Sequence, residues 1–261
     1  MKPRLFQTIS AMLVCALFSA ACRPRKETGR RAAVETVQPV VIRTIRHDTS
    51  AFTQGLIFDR GMLLESTGLY GRSSLRRLDA ADGAEKHKTA LDARLFGEGL
   101  ALRNGRLVQL TWKEGRALVY SPSDFTVVGA FTYAGEGWGL ASWPEGYIMS
   151  NGSDTLYFRN DEFAVVRVVR VTFRGAPLTR LNELEYARGK VYANVWYSNY
   201  IFEIDPHTGV VRRSIDCSDL AAQAGMLTGE NVLNGIAYDE STGRFYITGK
   251  NWPLVFEVSI P

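Results

Sequence analysis

The 261-residue sequence predicts an all-β fold, and three observations carry that prediction. A short pattern recurs five times, at Thr53–Phe58, Phe96–Leu102, Gly137–Ala141, Leu181–Tyr186 and Leu233–Tyr238, each pairing a small or polar residue with a Leu or Ile. Its second positions, Gly55, Gly99, Gly139, Glu183 and Gly235, are spaced by 44, 40, 44 and 52 residues, a period that marks a repeat architecture. Between recurrences lie short apolar runs joined by tight glycine-containing turns. Finally, the first β-branched run has no hairpin partner, while the last copy is one strand short. Four-stranded units at this period are propeller blades, so the reading is a five-bladed β-propeller in which the N-terminal strand completes the last blade and covers its open edge. A β-sandwich also uses short strands but gives no five copies in register.

Taken in order, Val40–Arg46 is the unpartnered strand. The first blade reads as Gly55–Asp59, Met62–Ser66, Ser74–Asp79 and a weaker Ala84–Leu91, with turns at Arg60-Gly61 and Asp82-Gly83. The second is Gly99–Leu102, Leu107–Trp112, Ala117–Tyr120 and Phe125–Phe131. The third is Gly139–Ala141, Tyr147–Ser150, Thr155–Phe158 and Ala164–Phe173; the fourth is Glu183–Tyr186, Lys190–Val195, Tyr200–Ile204 and Val210–Ile215. Ser218–Ala224 has a helical look with Ser218 as its expected N-cap, and it explains the longer last spacing. The fifth blade supplies Gly235–Asp239, Arg244–Thr248 and Leu254–Ser259.

Residues 1–21 read as a signal peptide: Lys2 and Arg4, an apolar stretch from Leu5 to Phe18, then small residues at Ser19-Ala20-Ala21. Export is the expectation, to the periplasm or beyond. Cys22 follows directly and is similar to a lipidated cysteine, although Ser19 stands where such signals usually carry Leu; a soluble secreted protein is the alternative. Residues 22–39 read as a charged tether and 40–261 as the propeller. Of 31 basic and 27 acidic residues, seven basic and two acidic lie before Val40, leaving 24 and 25 in the propeller. The basicity is peripheral, so nucleic acid is not an expected partner. Membrane contact is expected only through Cys22, and a monomer is expected. With Cys22 lipidated, Cys217 has no disulfide partner.

The first strand of each propeller blade lines the central channel. The residues just before the five register positions, Gln54, Glu98, Trp138, Asn182 and Asn234, therefore form one tier, with one ionisable group among amides and an indole. Ends of the second strands bring Glu65, Trp112, Asn151, Trp196 and Lys250 toward the same rim. One acid, one amine, amides and aromatic walls make a small-ligand pocket. Plainer readings exist for each: a hydrated channel mouth for Glu98, a solvated loop for Lys250, packing between blades for the tryptophans, a turn for Asn151. His47, His87 and His207 sit beside charged or turn residues and support neither a metal cage nor a nucleophilic triad, and no nucleotide-binding fingerprint is present.

Nine motifs in order, Phe52-Thr-Gln-Gly-Leu56, Glu65–Gly71, Gly97-Glu-Gly-Leu100, Leu110-Thr-Trp112, Gly137-Trp-Gly-Leu140, Leu181–Glu185, Asn194-Val-Trp196, Leu233–Asp239 and Thr248-Gly-Lys250, resemble those of the plant-type glutaminyl-peptide cyclotransferases, which have bacterial members. The resemblance spans Val40–Pro261. It implies a five-bladed propeller that converts N-terminal glutamine to pyroglutamate with loss of ammonia, with no cofactor and no metal. It implies Glu98 as the catalytic glutamate, with Gln54, Asn182 and Lys250 as polar partners and Phe52, Trp112, Trp138 and Trp196 as the aromatic pocket; Glu65 and Asn234 are taken with the substrate-binding residues. The chemistry needs no protein nucleophile, because the substrate's own α-amine attacks its side-chain amide. One acid moving a proton from amine to leaving nitrogen suffices, with Lys250 and Asn182 as oxyanion donors. Gln54 orients either the carboxamide or the α-amine. Two other classes fit a propeller with such a rim: a non-catalytic peptide- or sugar-binding protein, and a metal-dependent hydrolase or lactonase, for which the tier offers few carboxylates.

Overall fold

The structure, a computed structural model, describes residues 33–225 and 229–261. The signal peptide expected over residues 1–21, Cys22 and the tether as far as residue 32 lie outside these. The described chain begins with β1 (Glu35–Val37) and β2 (Val40–Arg46). Blade 1 follows as β3 (Thr53–Asp59), β4 (Met62–Thr67), β5 (Ser74–Asp79) and β6 (Glu85–Ala90); blade 2 as β7 (Gly97–Arg103), β8 (Arg106–Thr111), β9 (Arg116–Tyr120) and β10 (Val127–Thr132). Blade 3 is β11 (Leu140–Trp143), β12 (Gly146–Met149), β13 (Thr155–Arg159) and β14 (Val165–Arg170), followed by a small hairpin, β15 (Thr172–Phe173) and β16 (Ala176–Pro177). Blade 4 is β17 (Leu181–Ala187), β18 (Lys190–Val195), β19 (Tyr200–Ile204) and β20 (Val211–Asp216); α1 (Ser218–Ala224) leads to β21 (Leu233–Asp239), β22 (Arg244–Gly249) and β23 (Leu254–Ser259).

Each blade is an antiparallel meander, and its tight inner turns are local chemistry. Arg60-Gly61, Asn104-Gly105 and Arg188-Gly189 all have both residues at positive φ, which matches the twist of the flanking strands. The inner strands pack on one another around a closed circuit, β3 on β7, β7 on β11, β11 on β17, β17 on β21 and β21 on β3. Their first halves are buried on both faces, as in the run Gly97–Ala101, whereas the outermost β10 is almost wholly exposed. Glycine at the register positions permits the crowding: a Cβ on Gly139 would lie 2.0 Å from the Asn182 carbonyl oxygen, and one on Gly99 2.3 Å from the Leu140 nitrogen. Blade 4 has Glu183 there instead. Its carboxyl accepts the Leu56 N–H at 3.4 Å and the Ile236 N–H at 2.9 Å, so one side chain ties the inner strands of three blades together. Burial, helped by neighbouring Glu185, pushes its pKa well above the usual carboxylate range despite those N–H donors.

The predicted closure is present. β2 runs antiparallel to β23, pairing Val40 with Ser259 and Arg46 with Leu254, and so completes the blade begun by β21–β23. Arg43 pairs with Glu257 across that seam and donates to the Ala80 and Ala81 carbonyls of blade 1. Three details differ from expectation. Glu35–Val37, expected in the tether, is a strand that adds parallel to β20 as the fifth member of blade 4, with the Thr36 and Ser214 hydroxyls 2.8 Å apart; Ala33–Pro261 forms one unit. Glu-Thr-Val carries no strand pattern of its own, and the free edge of β20 supplies the order. The long outer strand expected to reach Phe173 stops at Arg170, because the chain then leaves blade 3: the Thr172 N–H donates to the Gly209 carbonyl of blade 4 at 2.9 Å, and Thr172–Phe173 pairs with Ala176–Pro177. The helix cap is Cys217 rather than Ser218 and makes no side-chain cap bond; the Asp216 carboxylate accepts the Ser218 N–H at 3.0 Å instead. Leu220, Ala221 and Ala224 of α1 join the apolar core between blades 4 and 5.

Candidate active site

The sites named from sequence converge on a cavity of about 340 Å³ at one mouth of the ring. From the inner-strand tier it receives Gln54, Glu98, Trp138 and Asn182; from the residues that follow the second strands it receives Trp112, Trp196 and Lys250; Phe52 adds a further wall. Each wall is set by where a strand ends. Trp112 follows β8, Trp196 follows β18 and Lys250 follows β22, so three blades present equivalent positions to one space.

Glu98 is buried, and the Gln54 amide nitrogen donates to its Oε1 at 2.9 Å. Its Oε2 is buried with no protein partner. Burial drives its pKa well above the usual range; Lys250 pulls the other way, and Glu136 and Glu114 push with the burial. Lys250 is buried too, and desolvation lowers its pKa against the pull of Glu98 and Glu230. Its Nζ lies 4.7 Å from the Phe52 ring centre and 6.0 Å from that of Trp196, so two aromatic faces supply part of the stabilisation that water would give. Both groups are thus displaced toward neutrality, the condition in which an acid and an amine can exchange protons with a substrate. Trp138 and Trp196 meet edge to face at 5.5 Å, and Phe96 stands 5.4 Å from Trp112. The indole nitrogens of Trp112 and Trp138 both donate to Glu136 Oε2, at 2.9 Å each.

Three residues named from sequence, Asn234, Glu65 and Asn151, do not line the cavity. Asn234 is buried behind it, where its Nδ2 donates to the Thr53 carbonyl at 2.9 Å and to Gln54 Oε1 at 3.1 Å. With its oxygen occupied in this way, Gln54 presents its nitrogen to Glu98. Glu65 is a clearer correction. It lies within β4, paired with Leu56 and Arg76, and its fully buried carboxylate accepts from Thr53 Oγ1 at 2.6 Å and from His47 Nε2 at 2.9 Å, with Arg76 at 3.4 Å. The residue of blade 1 equivalent to Trp112 and Lys250 is Gly68, three positions later, and the Phe96 ring fills the space where its side chain would stand. The Glu65 cluster acts behind the site: His47 Nδ1 donates to the Trp252 carbonyl at 2.8 Å, and the Asn251 N–H donates to the Ala51 carbonyl at 2.7 Å, which fixes the Lys250 turn against Phe52. Asn151, also expected at the rim, closes a turn on Ser153.

Leu69, Phe96 and Glu230 line the cavity and were not anticipated. Phe96 had a readable signal, since Phe96-Gly-Glu98 repeats Phe52-Thr-Gln54 in register. Glu230 lies in the connection after α1, outside the repeat. Among the described residues no group of three His, Cys, Asp or Glu side chains is placed to hold a metal ion. Cys217 is a buried free thiol.

A five-bladed ring that surrounds one desolvated carboxyl with indoles, amides and a desolvated lysine defines a β-propeller with a small, largely apolar cavity at its mouth. The chain belongs to the glutamine cyclotransferase family, whose sequence model matches residues 11–260. It is 37% identical over 229 residues to a glutaminyl-peptide cyclotransferase of Arabidopsis thaliana, an alignment that covers 84% of this chain and 70% of the relative. Among solved structures it is similar to the glutaminyl cyclase of Myxococcus xanthus, with a TM-score of 0.81 and 42% identity, covering 87% of this chain and 97% of that one.

Proposed function

We propose that this family member converts the N-terminal glutamine of peptides or proteins to pyroglutamate, with Glu98 carrying both proton transfers. The observation that supports the proton role above all is the state of the Glu98 carboxyl: one oxygen is held by Gln54, the other is buried without a partner beside the cavity, and the group is desolvated. In the reaction the substrate's α-nitrogen attacks the side-chain amide carbon, a C–N bond forms, and the old C–N bond breaks to release ammonia. Folding the side chain back between aromatic walls turns this into a near-attack arrangement. Glu98, as carboxylate, takes the proton from the attacking nitrogen and returns it to the leaving one; its raised pKa suits both tasks. Lys250 and Asn182 supply donors to the oxygen that becomes negative in the tetrahedral intermediate. Gln54, locked by Asn234, keeps the carboxyl in place. The aromatic walls hold the substrate chain and exclude water.

The test is ammonia release from a glutamine-initiated dipeptide, with and without EDTA, on the wild type and on Glu98→Gln. A Gln at 98 keeps the shape and removes the proton carrier, so turnover is expected to fall by roughly 10²- to 10⁴-fold, with no effect of EDTA. Saturable binding without ammonia would reject the enzymatic reading; an unchanged Glu98→Gln rate would reject the role of Glu98; loss on chelation would point to a metal-dependent hydrolase.

The leader and Cys22 support export, with the lipid on Cys22 as the membrane anchor of a monomeric enzyme. Fatty-acid labelling that survives in a Cys22→Ala variant would remove the anchor from this picture, and light scattering reads the oligomeric state.

A further inference from the structure

Glu136 stands two residues before Trp138, the place taken by Phe52 and Phe96 in the first two blades, where an aromatic ring walls the cavity. Blade 3 has a carboxylate there. One of its oxygens accepts the indole N–H of Trp112, from blade 2, and that of Trp138, from blade 3, both at 2.9 Å. We infer that Glu136 is a positioning residue for the cyclisation: it clamps two indole walls from adjacent blades in the orientation that folds the glutamine side chain, and holds a negative charge beside Glu98.

The surrounding backbone is built to keep that clamp still. The Gly137 N–H donates to the Trp112 carbonyl at 2.9 Å and the Trp138 N–H to the Ser150 carbonyl at 3.1 Å, so the Trp112 backbone is tied to the Glu136 loop and the Trp138 backbone to the end of β12. A side chain on Gly137 would strike the Tyr133 hydroxyl, which itself bonds the Thr111 backbone just before Trp112. Lys113 covers the Trp112 ring with its Nζ 3.6 Å from the ring centre. Indole nitrogens cannot accept a hydrogen bond, so without an acceptor between them each ring keeps only its packing to set its angle. A single carboxylate oxygen shared by two donors couples the angles: if one ring moves, the acceptor of the other moves with it.

The electrostatic half follows from the groups around Glu98. Gln54 donates to it from β3; Lys250 opposes its neutral form from the end of β22; Glu114, from the β8–β9 loop, and Glu136 favour it; Tyr70 and Tyr133 lie within the same field as neutral phenols. Removal of the negative charge at 136 therefore makes Glu98 easier to ionise and moves the acid limb of its pH dependence to lower pH.

This inference rests on Glu98 as the proton carrier, and the experiment separates the two. Glu136→Ala removes acceptor and charge; Glu136→Gln keeps an acceptor oxygen and removes only the charge. In the ammonia assay across pH, Glu136→Ala is expected to raise KM and to lower kcat/KM roughly 10²-fold, the effect of a small misplacement of positioning groups. Glu136→Gln is expected to bring KM back toward the wild-type value while its acid limb stays shifted to lower pH. The substrate ammonium titrates alike in all three proteins, so the difference belongs to the enzyme. A binding readout independent of turnover is tryptophan quenching by a glutamine-initiated peptide in the Glu98→Gln background, where Glu136→Ala should weaken binding. Wild-type KM in a folded Glu136→Ala protein overturns the clamp, and so does a Glu136→Gln variant with the Ala defect and an unmoved acid limb. If Glu98→Gln alone leaves turnover intact, the reading of Glu98 fails instead.

Discussion

Replacing Glu65 by Gln separates a wall of the pocket from a brace behind it. Glu65 and His47 have no solvent exposure in their side chains, and Nε2 stands 2.9 Å from Oε1. Both histidine nitrogens face acceptors, the Trp252 carbonyl and the Glu65 carboxylate, an arrangement that favours the imidazolium. Burial alone would push its pKa down, but Glu65 outweighs it and holds the value above 6.5; likewise burial would raise Glu65, but His47, Arg76 and Thr53 hold it below 4.5. A unit-charge pair at that separation is worth about 6 kcal/mol at an effective dielectric constant of 20, and breaking one partner of a buried pair typically costs about 3–5 kcal/mol. For a domain of this size that corresponds to a fall in melting temperature of roughly 6–20 °C. The histidine's contribution is complete below its unfolded pKa and is lost as pH rises through the folded value. The glutamate's is complete above its unfolded pKa and is lost as pH falls through the folded value. The two overlap most fully between about pH 4.5 and 6.5, so the destabilisation of Glu65→Gln should peak there and shrink on either side. Calorimetric melts of wild type, Glu65→Gln, His47→Gln and the double variant, at several pH values, give the coupling energy directly. A loss below 1 kcal/mol at pH 5.5 (well under the range for a buried pair), or a large rise in KM with stability intact, would show that the cluster is not a brace and would return Glu65 to the substrate.

Two further outcomes follow from the same geometry. Lys250→Ala is expected to lower kcat by roughly 10²-fold, as for loss of one oxyanion donor, with a smaller change in KM and an acid limb moved to higher pH because the cation opposing the neutral form of Glu98 is gone; a variant changed only in KM would make Lys250 a recognition residue. Gly139→Ala should destabilise by about 1–3 kcal/mol, the usual range for overpacking, and should depress turnover as well, since the added carbon meets the backbone of Asn182; denaturant melts and turnover together check it, and a fully stable, fully active protein would contradict the crowding.

Much of this molecule was readable because its constraints repeat. Gly55, Gly99, Gly139 and Gly235, with Glu183 at the fourth place, recur where neighbouring inner strands almost touch, and the residue before each is carried to the hub by the same strand geometry, which is why Gln54, Glu98, Trp138 and Asn182 arrive together with Asn234 behind them. What escaped was set by single contacts. Glu65 looks like a rim residue when only its charge and strand are read, but β4 has the same six-residue length as β8, β18 and β22, so Gly68 stands at the mouth and Glu65, two residues inside the strand end, faces His47 of the chain leading from blade 5. Glu35–Val37 has no pattern, and only the free edge of β20 makes it a strand. Glu136 is one acid in a glycine-rich loop until two indoles from different blades are seen to share its oxygen.

The seam between β2 and β23 carries a consequence for biogenesis. Val40 meets Ser259 across more than two hundred residues, with hydrogen bonds and the Arg43–Glu257 pair as its fastening. Four sheets can be laid down as the polypeptide emerges, yet the wheel stays open until its final segment is free, and pairings this remote in sequence form slowly. A nascent chain therefore waits with a gap in its rim, and any premature stop near the tail leaves the opening strand searching for a neighbour.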